Sequence, residues 1–167
     1  MQISSSMRIA IMAPRKNADM RPRARLQLDD YLPYLINRVG AALVARFTEL
    51  ALARRQLSID MWRVLAALFD DGRRQIDLAG MTSIDASTIS RIVTRLVHQG
   101  LVKRSRSRTN GREVVVELTV RGKALVDHLI PVALSVESLA VSGMPTRDLV
   151  RIKWLLRRVY ANLAASP

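Results

Sequence analysis

The 167-residue sequence contains no cysteine. That excludes disulfides, thiolate zinc sites, cysteine nucleophiles and thiol-based redox sensing together. Histidine is nearly absent too: His98 and His128 stand alone, without an HExxH or a cluster of His, Asp and Glu, so no metal site is expected. Acidic side chains number 14 against 27 Lys and Arg, and neither a glycine-rich phosphate loop nor a nucleophile elbow is present. An enzyme is therefore not expected, nor a bound cofactor. No apolar run reaches the roughly 18 residues of a membrane helix, and the apolar patch at residues 9–13 is short for a secretory signal.

What the chain has in quantity is positive charge. A formal net charge of +13 draws phosphate before contact forms, so a polyanion is the expected partner: nucleic acid first, an anionic membrane surface as the rival. Since 49% of the residues are apolar, the chain is not a disordered polycation, and its length suits one domain. Residues 1–29 read as a basic flexible leader, with six basic residues and one acidic through Arg25; Met7, Met12 and Met20 are alternative starts.

Downstream, helical periodicity dominates. Residues 31–54 place Leu35, Ile36, Val39, Ala42, Leu43, Phe47 and Leu50 at three- and four-residue intervals, with Pro33 in the first turn, which predicts a long amphipathic helix. A second helix follows, capped by Ser58, striped by Met61, Val64, Leu65 and Leu68, and ended by Gly72. Residues 73–100 divide into a short helix near Ile76 to Met81, a turn at residues 82–84, and a longer helix capped by Asp85. In that longer helix Ile89, Ile92, Val93, Leu96 and Val97 share one face. Ser87, Arg91, Thr94 and His98 fall opposite, with Thr88 and Arg95 at the edge. Two helices joined by a tight turn, the second polar and cationic outside, make a helix-turn-helix.

Gly100 stops the reader helix, and LVKRSRS then runs extended into an Asn-Gly turn at Asn110 and Gly111 and returns as EVVVELT. Arg104, Arg106 and Arg108 project the same way from the outgoing strand. An isolated ribbon of this kind would serve as a solvated edge whose charges discourage sheet aggregation. Its neighbourhood argues for more: residues 86–112 hold seven basic side chains and no acidic one, across both the reader helix and the ribbon. Such a surface suits duplex DNA. The final two helices, residues 120–143 with a bend or break at Pro131 and residues 145–164 striped by Leu149, Ile152, Leu156, Val159 and Leu163, carry surplus apolar surface, which points to pairing with a second copy.

The stretch DASTISRIVTRLVHQGLVKRSRSRTNGREVVVELTVRGKAL resembles the multiple-antibiotic-resistance regulator (MarR) family. It carries, in family order, a reader helix, a Gly-Leu-Val-x-Arg exit, a basic wing and a Leu-Thr-x-x-Gly re-entry. The likeness extends more weakly from Asp30 to Leu163. One departure stands at the wing tip, where the family's Asp-x-Arg is Asn110, Gly111, Arg112, so the arginine's carboxylate partner is an amide.

The resemblance implies a mostly α fold with a small β-wing: a winged helix-turn-helix at 57–119, with dimerisation helices at 30–56 and 120–163. It implies a homodimer on a pseudo-palindromic operator, a repressor released by a small aromatic or phenolic acid held between the dimer and DNA-binding regions. The reader helix would lie in a major groove with Ser87, Thr88, Arg91, Thr94 and Arg95 at base edges or adjoining phosphates. Lys103, Arg104, Arg106, Arg108 and Arg112 would grip the backbone, Arg108 or Arg112 entering the minor groove. Candidate acid contacts are Tyr34, Asn37, Arg38 and Arg46 on the first helix and Trp62 and Arg63 on the second, since such a ligand needs a ring contact and a cation. The expected location is the bacterial cytoplasm, on the nucleoid. The alternative is an architectural DNA coater or a winged-helix interaction module without an inducer.

Overall fold

In the computed structural model the described residues are 25–106 and 114–165. Arg108, the Asn110-Gly111 turn, Arg112 and the leader through residue 24 lie outside them. Among the described leader residues, Leu28 and Asp29 join Asp30 in an exposed single helical turn. Helix α1, Leu32–Phe47, begins with Pro33 in its first turn, where a missing N–H costs nothing. The helical path continues past Phe47 with altered hydrogen bonding. A wider turn at Thr48–Leu52 and a tighter one at Ala53–Arg55 carry Ala51 and Leu52 into the core, and Gln56 ends the path at φ 53°. The expected long helix is thus three segments.

Helix α2, Ile59–Ala67, is capped by Ser58, whose Oγ accepts from Met61 N at 3.2 Å. It stops at Ala67, short of Gly72, so the expectation that Gly72 ends it is wrong. Gly72 is needed for a close approach instead: a Cβ there would stand 2.6 Å from Glu117 Cγ and 3.2 Å from the Val116 carbonyl oxygen. Helix α3, Gln75–Thr82, ends with Ser83 in the left-handed region at φ 56°, and helix α4, Ala86–His98, follows after the three-residue link of Ser83, Ile84 and Asp85. Gly100 turns the chain out of α4 at φ 67°.

Strands β1, Val102–Arg106, and β2, Val114–Leu118, are antiparallel, with Val102 opposite Leu118, Lys103 opposite Glu117 and Arg104 opposite Val116. Arg73 adds a bridge on the far side of β2, exchanging backbone hydrogen bonds of 2.9 and 2.8 Å with Val116. Helix α5, Val120–Ala140, passes through Pro131 without interruption, so the chain is not broken there. Pro131 cannot bond the carbonyl of Asp127, but both residues are exposed and water can satisfy that oxygen. Helix α6, Thr146–Ala164, completes the chain. The fold is mostly α with a small β-wing.

The core is one apolar cluster drawn from the end of the first helical path (Phe47, Leu52), α2 (Met61, Val64, Leu65), α3 (Leu78), α4 (Ile89, Val93, Leu96), the wing base (Val102, Val116) and α5 (Val126, Leu129). Helix α6 buries no residue. Thr119 fastens the wing to α5. Its Oγ1 accepts from Gly122 N at 3.0 Å as an N-cap and donates to the Gly100 carbonyl at 2.7 Å. Gly122 lies so close to the Leu101 carbonyl that a side chain would collide with it. The Leu-Thr-x-x-Gly re-entry therefore ties the exit of α4 to the entry of α5.

Candidate nucleic-acid interface

The inner stripe of α4 fixes its outer face. Burial of Ile89, Val93 and Leu96 against the core leaves Ser87, Arg91, Thr94, Arg95 and His98 exposed and Thr88 half-buried. Its start is held by Asp85, whose Oδ1 accepts from Thr88 N at 2.9 Å and from Ser87 Oγ at 2.6 Å. The Ser87 hydroxyl first, then the hydroxyl and backbone N–H of Thr88, hold the Asp85 carboxyl well below the usual carboxylate range. An anionic cap at a helix N-terminus also complements the helix dipole. It competes there with phosphate, so the Ser87 and Thr88 hydroxyls reach DNA only if they leave Asp85.

Further along, Arg91 Nη2 donates to Thr88 Oγ1 at 2.9 Å, which lays the guanidinium along the exposed face. Thr94 Oγ1 donates to the Ser90 carbonyl at 3.0 Å. Arg91, Arg95, Ser90, Thr94 and His98 together line a shallow depression on the outer surface of α4. None of these five is acidic.

The wing stands beside this face. Arg104 shares the inward side of β1 with buried Val102, so its guanidinium reaches α4 and donates from Nη2 to Thr94 Oγ1 at 3.1 Å. Arg104 therefore faces the reader helix, an orientation that strand alternation alone did not reveal. Lys103 points the other way and meets Glu117 across the ladder at 3.4 Å. The run without acids in the sequence thus acquires one in space, and part of the Lys103 charge is answered within the wing. Arg106 is exposed at the end of β1.

The six residues singled out for an acid ligand are distributed along α1 and α2. Arg46 is bonded to Glu49 at 2.8 Å and Arg63 to Asp60 at 3.0 Å, each one turn away on its own helical path. The Trp62 ring packs on Phe47 with centroids 5.2 Å apart and so belongs partly to the core. Tyr34 is half-buried, whereas Asn37 and Arg38 are exposed. Among the described residues there is no group of His, Asp and Glu that could hold a metal ion, and no helix is long and apolar enough to cross a membrane.

The MarR family model matches residues 57–114, from the link before α2 into β2. A MarR-family transcriptional regulator from Silicibacter pomeroyi shares the fold with a TM-score of 0.73 at 28% identity, covering 84% of this chain and 94% of that one. The chain belongs to the MarR family. As a MarR protein it is a winged helix-turn-helix, DNA-binding transcriptional regulator. The transcriptional repressor NicR of Pseudomonas putida is 37% identical over 105 residues, 62% of this chain and 66% of NicR. BpsR of Bordetella bronchiseptica, whose DNA binding is regulated by 6-hydroxynicotinic acid, matches at 26% identity with a TM-score of 0.72, over 86% of this chain and 100% of BpsR.

Proposed function

We propose that this MarR protein acts as a homodimeric repressor in the bacterial cytoplasm. It binds a two-fold DNA site and releases it when a small aromatic acid binds. The observation that carries this reading is the outer face of α4: its exposed side chains are hydroxyls, two arginines and a histidine, with the inward arginine of β1 bonded to the same face. Arg91 pairs with a base edge or its neighbouring phosphate, and Arg95, Arg104 and Arg106 set the register on the backbone. Arg108 and Arg112, outside the described residues, add two more cations to that grip. Residues 57–119 form the DNA-binding part, and residues 30–56 and 120–163 form the dimer.

Exposed apolar side chains support the second copy. Val39 in the first half of α1 is 57% exposed, and Leu156 and Leu163 on the stripe of α6, a helix that buries no residue, are 45% and 73% exposed. The repressor assignment of NicR and the acid response of BpsR support the regulatory half of the proposal.

The test begins by selecting bound duplexes from random DNA and footprinting the winner. Short protection of two half-sites about one helical turn apart is expected, whereas continuous protection would mark a DNA coater. Arg91→Ala should then relax sequence preference at one position by about 1–3 kcal/mol, while Arg106→Ala should weaken binding to all sequences alike. Identical behaviour of the two variants would contradict the division between reading and gripping.

A further inference from the structure

Helix α6 carries charge that its own chain leaves unanswered. Residues 149–165 hold four basic side chains and no acidic one, the same one-signed composition that marks residues 86–112. Two of the four are engaged. Lys153 Nζ is ion-paired with Glu137 Oε1 of α5, and the Arg158 guanidinium lies over the Trp154 ring, 4.8 Å from its centroid. Arg151 and Arg157 are exposed, and among the described residues neither guanidinium has an ion pair, a hydrogen bond or a ring contact.

These two arginines flank the apolar stripe of α6 on opposite sides. With 3.6 residues per turn, each stands roughly 120° from the centre of the stripe, so a second copy covering that stripe leaves both outside it. Their surroundings differ. Tyr160 Oη lies 3.5 Å from Ser83 Oγ in the α3–α4 link, which sets the C-terminal end of α6 beside the helix-turn-helix of its own chain. Arg157 is one turn before Tyr160 and roughly 60° from it around the helix, whereas Arg151 is roughly 180° from it. Ser83 is in turn two residues from Asp85, whose carboxylate caps α4 and repels a phosphate arriving at the start of the reader helix. A cation brought to that corner offsets the repulsion.

We propose that the C-terminal end of α6 is part of the nucleic-acid interface, with Arg157 taking a backbone phosphate of duplex DNA beside the start of α4. Tyr160 is the positioning residue that holds this end of α6 against Ser83. The inference rests on the proposed grip of α4 on DNA and extends it to a helix otherwise assigned to the dimer. Continuity with the reader helix and the lack of acids decide for duplex phosphate as the occupant. A contact of this kind reads no base, so it adds affinity to every sequence alike.

Fluorescence anisotropy of the full chain with the selected duplex and with a scrambled one, across sodium chloride, tests the contact. Arg157→Met should lower affinity for both duplexes by about ten-fold or more at low salt, and should make the slope of log affinity against log salt shallower by roughly 0.9 for each chain bound. Arg157→Lys should keep most of that slope. Arg151→Met removes the same charge from the same helix, equally far from the stripe, and should match wild type. Both arginines are exposed, so these variants keep the fold. Wild-type affinity and slope in Arg157→Met overturn the contact, and equal losses in Arg157→Met and Arg151→Met overturn it in favour of diffuse charge. Sedimentation of Arg157→Met adds a third outcome: dissociation into monomers would assign Arg157 to a carboxylate of the second copy instead. Loss of affinity in Arg91→Ala and Arg106→Ala but not in Arg157→Met removes α6 alone from the interface, whereas a wild type that ignores both duplexes removes the reading of α4 as well.

Discussion

Leu65 in α2 is wholly buried, while Leu156 in α6 is 45% exposed, although both sit in apolar stripes at helical spacing. The same contrast holds between whole regions. Around α2 to β2 the stripes close on one another, the helices that matter for DNA are capped by Ser58 and Asp85, and Thr119 locks the exit. Helix α6 and the first half of α1 turn their stripes outward. Periodicity tells which face of a helix seeks burial. It does not tell whether the cover comes from the same chain or from another copy.

The largest expected effect tests the closed region. Leu65→Ala should cost about 2–5 kcal/mol, read by denaturant unfolding, and the loss should not depend on protein concentration. The open region should behave in the opposite way. Leu156→Glu should leave helical content intact but shift the assembly to monomers in sedimentation, and should lower affinity for a two-fold site by on the order of 100-fold because the second half-site no longer binds in the same complex. A monomeric wild type would break the comparison at its weaker side.

Thr119→Ala should cost about 1 kcal/mol, since it removes an N-cap and a tie to Gly100 together, while the unfolding slope stays constant. The smallest effect is expected from acid. Asp85 has a folded pKa below its unfolded value, so its cap contributes fully above about pH 4 and is lost as the pH falls through the depressed value. Comparing wild type with Asp85→Asn from pH 6 to pH 3 should show the two stabilities converging toward the acid end. Parallel curves would mean that the cap carries no linkage.

Much of the winged region was legible because its signals are local. The Asp85 cap, the α4 stripe from Ile89 to Leu96 and the Gly100 stop depend on neighbours within one or two turns. The features that escaped depend on contacts between distant segments. Gly72 reads as a helix stop, yet its role is to let the Arg73 bridge approach β2, which only the folded sheet reveals. Pro131 reads as a breaker, but its exposed position lets water take the orphaned carbonyl. The partnership of Lys103 with Glu117 needs the strand register, and that of Arg104 with Thr94 needs the packing of wing on helix. The approach of Tyr160 to Ser83 joins residues 77 positions apart, so no spacing in the sequence announces it.

The central claim is that the outer face of α4 and the neighbouring wing grip duplex DNA by charge. Its most direct test is the equilibrium affinity for the selected duplex across increasing sodium chloride. With each chain of a pair placing at least two of its arginines on phosphates, log affinity should fall linearly with log salt at a slope of about −4 or steeper. Arg106→Ala should make that slope shallower. An affinity that stays flat from low to high salt, or a protein that ignores duplex DNA at every salt concentration, would contradict the account.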